Sequence, residues 1–214
     1  NTPKEIIDGC INAQRKLLQG FKILPTTKRK ISKANMKKWQ EAQEPMQFAI
    51  SLSGEPTLYP YIGDLIVELR KRGKTSFLVT NGLFPEKLKE LEKKKQLPTQ
   101  LYVSVNCSNK KDFDRFHRSS MKNAWKKLNE SLEVMSKLKN KTRTIFRMNL
   151  IRKINMSDKN IKEFAELIKK AKPLFVEIKG YMSVGFARQR LGYERMPNDK
   201  EMKEFSEKLA KATG

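Results

Sequence analysis

Phe48-Ala49-Ile50-Ser51-Leu52-Ser53-Gly54-Glu55-Pro56, with Ile62, Leu65, Ile66 and Leu69 following, is the stretch on which the fold turns. The short apolar run bounded by Gly and Pro reads as a strand, and the spacing i, i+3, i+4, i+7 puts one apolar stripe on a helix. Gly54 permits close backbone approach, and Pro56 keeps a helix from starting at once. Strand-end carbonyls are thereby left free to accept from a cation such as an ammonium. Strand, polar loop and helix together make one βα unit.

The unit recurs along the chain. Strands are expected near 76–80, 101–105, 144–150 and 174–178, and helices near 85–94, 122–138, 158–171 and 198–211, with Ile161, Phe164, Ala165 and Ile168 sharing a face. Strict alternation implies right-handed crossovers and a parallel sheet, hence an α/β fold in a single domain over 1–214. A helix over 3–18, with Thr2 as N-cap and Pro3 at its first position, precedes the first strand and is expected to bury Ile6, Cys10, Ala13 and Leu17. A helix of this kind normally returns the chain from an earlier strand, so a strand is expected upstream of Asn1.

Ligands of parallel α/β sheets bind at the carboxyl ends of the strands. Those ends read Ser51-Leu52-Ser53-Gly54-Glu55, Val79-Thr80-Asn81-Gly82, Ser104-Val105-Asn106, Arg147-Met148-Asn149 and Glu177-Ile178-Lys179. In four of them two polar residues stand two apart, which the strand period places on one face. Runs such as Phe77-Leu78-Val79 and Leu174-Phe175-Val176 are expected to be buried on both faces, so their polar termini require a ligand or each other. Asn81-Gly82 reads equally as a turn. Arg147 within an apolar strand requires a carboxylate or phosphate partner.

The 214 residues carry 46 Lys and Arg against 23 Asp and Glu, a net charge of +23. Such a balance fits a polyanionic partner, nucleic acid first, or a lysine-rich solvated surface. Acid-free stretches at 22–38, including Lys28, Arg29, Lys30 and Lys33, and at 134–157 favour patches over an even mixture. No apolar run approaches the roughly 18 residues of a membrane helix and no signal peptide is legible, so a cytoplasmic protein without a membrane is expected. Two cysteines, Cys10 and Cys107, exclude a zinc or iron–sulfur site built from this chain's cysteines alone. Cys107 reads as a small core or loop residue, and His117, the single histidine, as a surface residue. No metal ligand is assigned.

Four blocks in order, Ser51 to Pro60, Leu78 to Gly82, Leu97 to Ser104 and Glu177 to Met182, together with Ala13 to Leu18, resemble the archaeal tRNA 4-demethylwyosine synthases, which are radical S-adenosylmethionine enzymes. The resemblance covers nearly the whole chain. It implies a partial TIM-like barrel of six βα units, with S-adenosylmethionine and a 4Fe-4S cluster held by a CxxxCxxC loop after the first strand. It further implies the condensation of N1-methylguanosine, beside the anticodon of tRNA-Phe, with carbons of pyruvate, driven by a reductant protein or flavin donor. By motif position Ser53, Gly54, Glu55, Thr80, Asn81, Ser104, Asn106 and Arg147 are expected at the cofactor. Lys179 and Tyr181 are expected on the substrate side as catalytic residues, Lys28, Arg29, Lys30 and Lys33 at the RNA, and the protein is expected to act as a monomer. Tyr59, Tyr61 and Tyr181 are expected either to stack on an extruded base or to pack within loops. This sequence has no CxxxCxxC, so the first strand and cluster loop are expected upstream of Asn1, and the chain alone is expected to be inactive. A basic α/β RNA-binding module without a cluster, or a radical enzyme with another substrate, remain the alternatives.

Overall fold

The computed structural model describes residues 1–21, 33–52 and 54–214, with side chains in the second helix described from residue 36 onward. Ser53, Lys28, Arg29 and Lys30, and the side chain of Lys33, therefore lie outside the described residues. Helix α1 (Pro3–Leu18) starts as the sequence dictates: the Thr2 hydroxyl accepts from the Glu5 N–H, and the Glu5 carboxylate accepts from the Thr2 N–H. Its buried residues are Ile7 and Ile11. Cys10 is exposed, as is Leu17, so the expectation of Cys10 in the core is corrected. The apolar stripe has two possible centres one residue apart, and the one carrying two isoleucines buries more apolar surface than the one carrying Cys10 and Ala13.

The second helix, α2 (Lys33–Ala42), takes up part of the basic stretch expected as a loop. It is tied to α1 by Gln14 donating to the Ala42 carbonyl at 2.7 Å and by Trp39 donating to the Leu18 carbonyl at 2.9 Å. Then follow β1 (Gln47–Ile50), α3 (Ile62–Lys71), β2 (Thr75–Thr80), α4 (Pro85–Lys93), β3 (Gln100–Ser104), α5 (Lys110–His117) and α6 (Ala124–Leu138). The chain closes with β4 (Arg143–Leu150), α7 (Asp158–Ala171), β5 (Phe175–Gly180), α8 (Gly185–Leu191) and α9 (Asp199–Thr213). The five strands form one parallel sheet in the order β1-β2-β3-β4-β5. When each strand pairs with the next and every crossover is right-handed, the helices fall on one face, which is the winding of a barrel and not of a doubly wound sheet.

Period-two alternation then sorts the strands into two faces. Leu78, Leu101, Val103, Phe146 and Met148 are wholly buried under the helices, where Leu128, Leu132, Phe164 and Leu88 meet them. Phe77, Val79, Tyr102 and Arg147 point to the other face and are half-buried. Burial on both faces, expected for Leu174-Phe175-Val176, does not hold: these residues are 46%, 58% and 38% exposed. The reason is positional. β5 is the last strand of the sheet, and no layer covers its open face among the described residues.

Candidate functional site at the carboxyl ends of the strands

The register of the sheet gathers the polar strand termini into rows. Ser104 lies opposite Arg147, and Arg147 opposite Glu177; the next row pairs Asn149 with Lys179. Two adjacent rows on the open face therefore carry a hydroxyl, a guanidinium, a carboxylate, an amide and an amine. The Arg147 Nε lies 3.0 Å from Glu177 Oε2, and its guanidinium sits over the Tyr102 ring at 5.9 Å. Lys179 Nζ lies 3.8 Å from Glu177 Oε1. The required carboxylate partner of Arg147 is thus supplied by the neighbouring strand. Glu177 Oε2 is buried, and the Arg147 guanidinium compensates its charge without forming an aligned hydrogen bond to it.

A second cluster joins β1 to β2. The Glu55 carboxylate accepts from the Thr57 N–H at 3.1 Å, the Thr57 hydroxyl at 2.6 Å, the Thr80 hydroxyl at 2.6 Å and the Asn81 N–H at 2.8 Å. Thr80 is 2% exposed, and its oxygen also accepts from the Gly82 N–H at 3.1 Å. The Asn81 side-chain oxygen accepts from the Leu83 N–H at 2.9 Å. Glu55, Thr80 and Asn81 are brought together, with most of their polar atoms committed to one another. Gly54 stands beside them at φ 82, with open space where a side chain would go. The turn reading of Asn81-Gly82 is also realised, at φ 73 for Gly82.

Asn106 is fastened to the same edge. Its side-chain oxygen accepts from the Asn149 N–H at 3.1 Å, while Asn155 donates to the carbonyls of Asn106 and Asn149 at 2.8 and 2.9 Å. Tyr181 is 4% exposed, and its hydroxyl donates to the Ala187 carbonyl at 2.9 Å. The structure therefore sets Tyr181 beneath α8 and leaves Lys179 as the half-exposed one of the pair. Tyr181 is not available for base stacking. Tyr59 and Tyr61 meet edge to face at 5.9 Å, with Tyr61 55% exposed. Sequence reasoning missed Glu177 as the partner of Arg147, Thr57 as a support of Glu55, and Asn155 as the tie between Asn106 and Asn149. The period of two signals Glu177, but its pairing with Arg147 depends on register.

Electrostatics separates the remaining candidates. The Cys107 thiol is buried at 3% exposure, and desolvation, helped by Asp112, pushes its pKa up to about 12. The His117 ring packs 4.6 Å from that of Phe113, and burial lowers its pKa. Among the described residues no group of three His, Cys, Asp or Glu could hold a metal, and no helix is long and apolar enough to cross a membrane. The acid-free stretch 134–157 is split by β4. Lys139, Lys141 and Arg143 line a groove of about 630 Å³ at the amino ends of the strands, whereas Arg152 and Lys153 follow the carboxyl end. That groove therefore lies at the far end from the polar rows.

A parallel sheet wound in one direction, with polar rows at its carboxyl edge, defines a barrel enzyme fold, and the sequence profile of the Radical SAM superfamily matches residues 10–172. The chain belongs to that superfamily. A second profile, Wyosine base formation, matches residues 170–214. Over 209 residues the chain is 44% identical to the S-adenosyl-L-methionine-dependent tRNA 4-demethylwyosine synthase of Pyrococcus abyssi, covering 98% of this chain and 58% of that protein. It thus spans little more than half the length of that relative. Among solved structures it matches TYW1 with a lysine-pyruvate adduct bound at TM-score 0.79 and 31% identity, over 99% of this chain and 63% of that one. It matches archaeal TYW1 at TM-score 0.75 and 28% identity, over 100% of this chain and 64% of that one. The expected partial radical SAM barrel is the observed fold.

Proposed function

We propose that the protein carrying this chain is a radical S-adenosylmethionine enzyme that builds 4-demethylwyosine from N1-methylguanosine beside the anticodon of tRNA-Phe, with pyruvate as carbon donor. Work on tRNA in the cytoplasm, as a monomer supplied by a reductant protein or flavin donor, belongs to the same reading. The observation that carries it is the 44% identity to a 4-demethylwyosine synthase over 98% of the chain.

The chain's residues fit S-adenosylmethionine better than they fit its cluster. Gly54 leaves open space beside the Glu55 knot, and the row Ser104, Arg147 and Glu177 offers donors and a carboxylate side by side. In this reading the Gly54–Glu55 segment and Asn81 flank the cofactor's amino acid end, while Arg147 and Ser104 orient its polar groups. When bound, the cofactor supplies a one-electron route to a carbon radical. The two cysteines do not fit a cluster, one being exposed on α1 and the other a buried thiol with its pKa near 12, so they take no part in holding one.

Lys179 is the amine placed at pyruvate. Its uncharged form adds to the ketone carbon, and loss of one water leaves an imine, with Glu177 beside it to receive and return the proton. The TYW1 structure with a lysine-pyruvate adduct is the precedent for this chemistry in a relative. The reading is tested with the protein that carries this chain, supplied with iron, sulfide, S-adenosylmethionine, reductant and carbon-labelled pyruvate. Label enters the modified guanosine of tRNA if the reading holds, and its absence from that base contradicts it.

A further inference from the structure

Beyond β5 the chain exposes an unusual set of side chains. Phe186 is 81% exposed, Met182 64%, Val184 62% and Tyr193 57%, four large apolar residues within twelve positions. Single exposed hydrophobes are ordinary, but a cluster of them marks a contact surface. The charge of the segment indicates what kind. From Ile178 to Tyr193 there are Lys179, Arg188 and Arg190 and no acid, in a chain of net charge +23. Neither Arg188 nor Arg190 has a carboxylate partner among the described residues, and the Arg188 guanidinium lies over the Tyr193 ring at 4.7 Å. Helical spacing puts Phe186 and Arg190 on a common face of α8, roughly 100° around the helix from the half-buried Ala187 and Leu191. One aromatic–arginine contact, Arg188–Tyr193, and a second aromatic and arginine set four apart on a helix thus stand on the carboxyl-end rim, a few residues past Lys179.

These pairs are held rigidly. Tyr181 donates from its N–H to the Leu150 carbonyl at 2.8 Å and from its hydroxyl to the Ala187 carbonyl at 2.9 Å, which pins α8 from below. The Gly192 N–H returns to the Arg188 carbonyl at 3.0 Å, and the Arg152 N–H reaches the Arg195 carbonyl at 2.9 Å. An ordered platform of flat rings with adjacent guanidinium groups meets unpaired bases by their faces and phosphates by charge.

We propose that Met182 to Tyr193 form a stacking platform for single-stranded RNA, with Phe186–Arg190 and Arg188–Tyr193 as successive base stations beside the reaction site. The proposal rests on the tRNA reading above and adds the surface that takes the unpaired loop. Base stacking is insensitive to salt and indifferent to sequence, whereas phosphate contacts are not, so the two contributions separate experimentally.

The test is fluorescence anisotropy with the protein that carries this chain and a labelled single-stranded RNA of roughly 12 nucleotides, compared with the same strand in a duplex. The single strand binds more tightly. Phe186→Ala and Tyr193→Ala each weaken it roughly ten-fold with the salt dependence unchanged. Arg190→Ala lowers the salt slope by about one. All three variants keep the melting temperature of the parent, since the altered side chains are exposed. Variants that bind the single strand as the parent does overturn the platform and leave the tRNA reading standing. Loss of self-association in Phe186→Ala without any change in RNA affinity also overturns it, in favour of a protein partner. A parent protein that binds neither this strand nor tRNA overturns both.

Discussion

At the scale of single residues, the site is a set of polar side chains that first satisfy one another. Glu55 accepts four hydrogen bonds, two of which join the loop after β1 to the end of β2, so Glu55→Ala leaves the Thr80 hydroxyl and the Asn81 N–H without their acceptor. Urea unfolding is expected to show a loss of about 1–3 kcal/mol, the usual cost of removing a charged acceptor from partly buried donors. Arg147→Ala strips Glu177 of the nearer of the two cations that flank it, and S-adenosylmethionine affinity, read by calorimetry on the cluster-loaded protein, is expected to fall about ten-fold or more while tRNA affinity stays within two-fold. Equal loss of both affinities contradicts the cofactor role. Cys107 gives a pH prediction. Its folded pKa of about 12 exceeds the ordinary 9.0, so its contribution to stability is full below pH 9 and is lost as pH rises toward 12, where the unfolded thiol ionises and the folded one resists. Iodoacetamide at pH 8 is expected to label exposed Cys10 in the native chain and both cysteines in urea. Native labelling of Cys107 contradicts this burial.

At the scale of elements, the βα alternation was legible because each helix carries a full apolar stripe and each strand a short run closed by turn residues. What the sequence does not show is phase. The stripe of α1 centres on Ile7 and Ile11 and not on Cys10, because neighbouring stripes one residue apart differ only in what α3 offers them. Helices α5 and α8 escaped notice since each is too short to declare a period, and α8 buries nothing completely. Burial on both faces failed for Leu174-Phe175-Val176 because sheet position, and not composition, covers a strand. The β2–α4 turn offers a test at this scale. Gly82 has φ 73, and an added Cβ would meet Leu128 Cδ1 at 2.8 Å and Val103 Cγ1 at 2.9 Å. Its carbonyl also accepts from the buried Ser131 hydroxyl at 2.6 Å. Gly82→Ala is expected to cost about 2–4 kcal/mol of unfolding free energy, from left-handed strain and overpacking together. A change below about 0.5 kcal/mol, the ordinary range for a surface substitution, would mean that the turn yields freely.

At the scale of the whole molecule, the site exists only through register. Ser104, Arg147 and Glu177 stand more than 70 residues apart at the extremes, and the sequence offers their period of two but not which positions lie opposite one another. Hence Arg147 was legible as a residue that needs a carboxylate, while Glu177 as its partner was not. The same geometry redistributes the charge. The acid-free 134–157 stretch is cut by a strand into two groups at opposite ends of the barrel, and at the carboxyl end α8 adds Arg188 and Arg190 to Arg152 and Lys153. Winding all helices onto one face leaves the other open at the edge where Lys179 emerges, half-exposed and 3.8 Å from Glu177. In the proposed reading that edge is where pyruvate is held. Borohydride trapping with labelled pyruvate, followed by peptide mapping, tests it most directly. The account predicts one dominant adduct on Lys179, lost in Lys179→Arg; label spread over the surface lysines, or centred on a lysine at the amino ends of the strands such as Lys139 or Lys141, would contradict it.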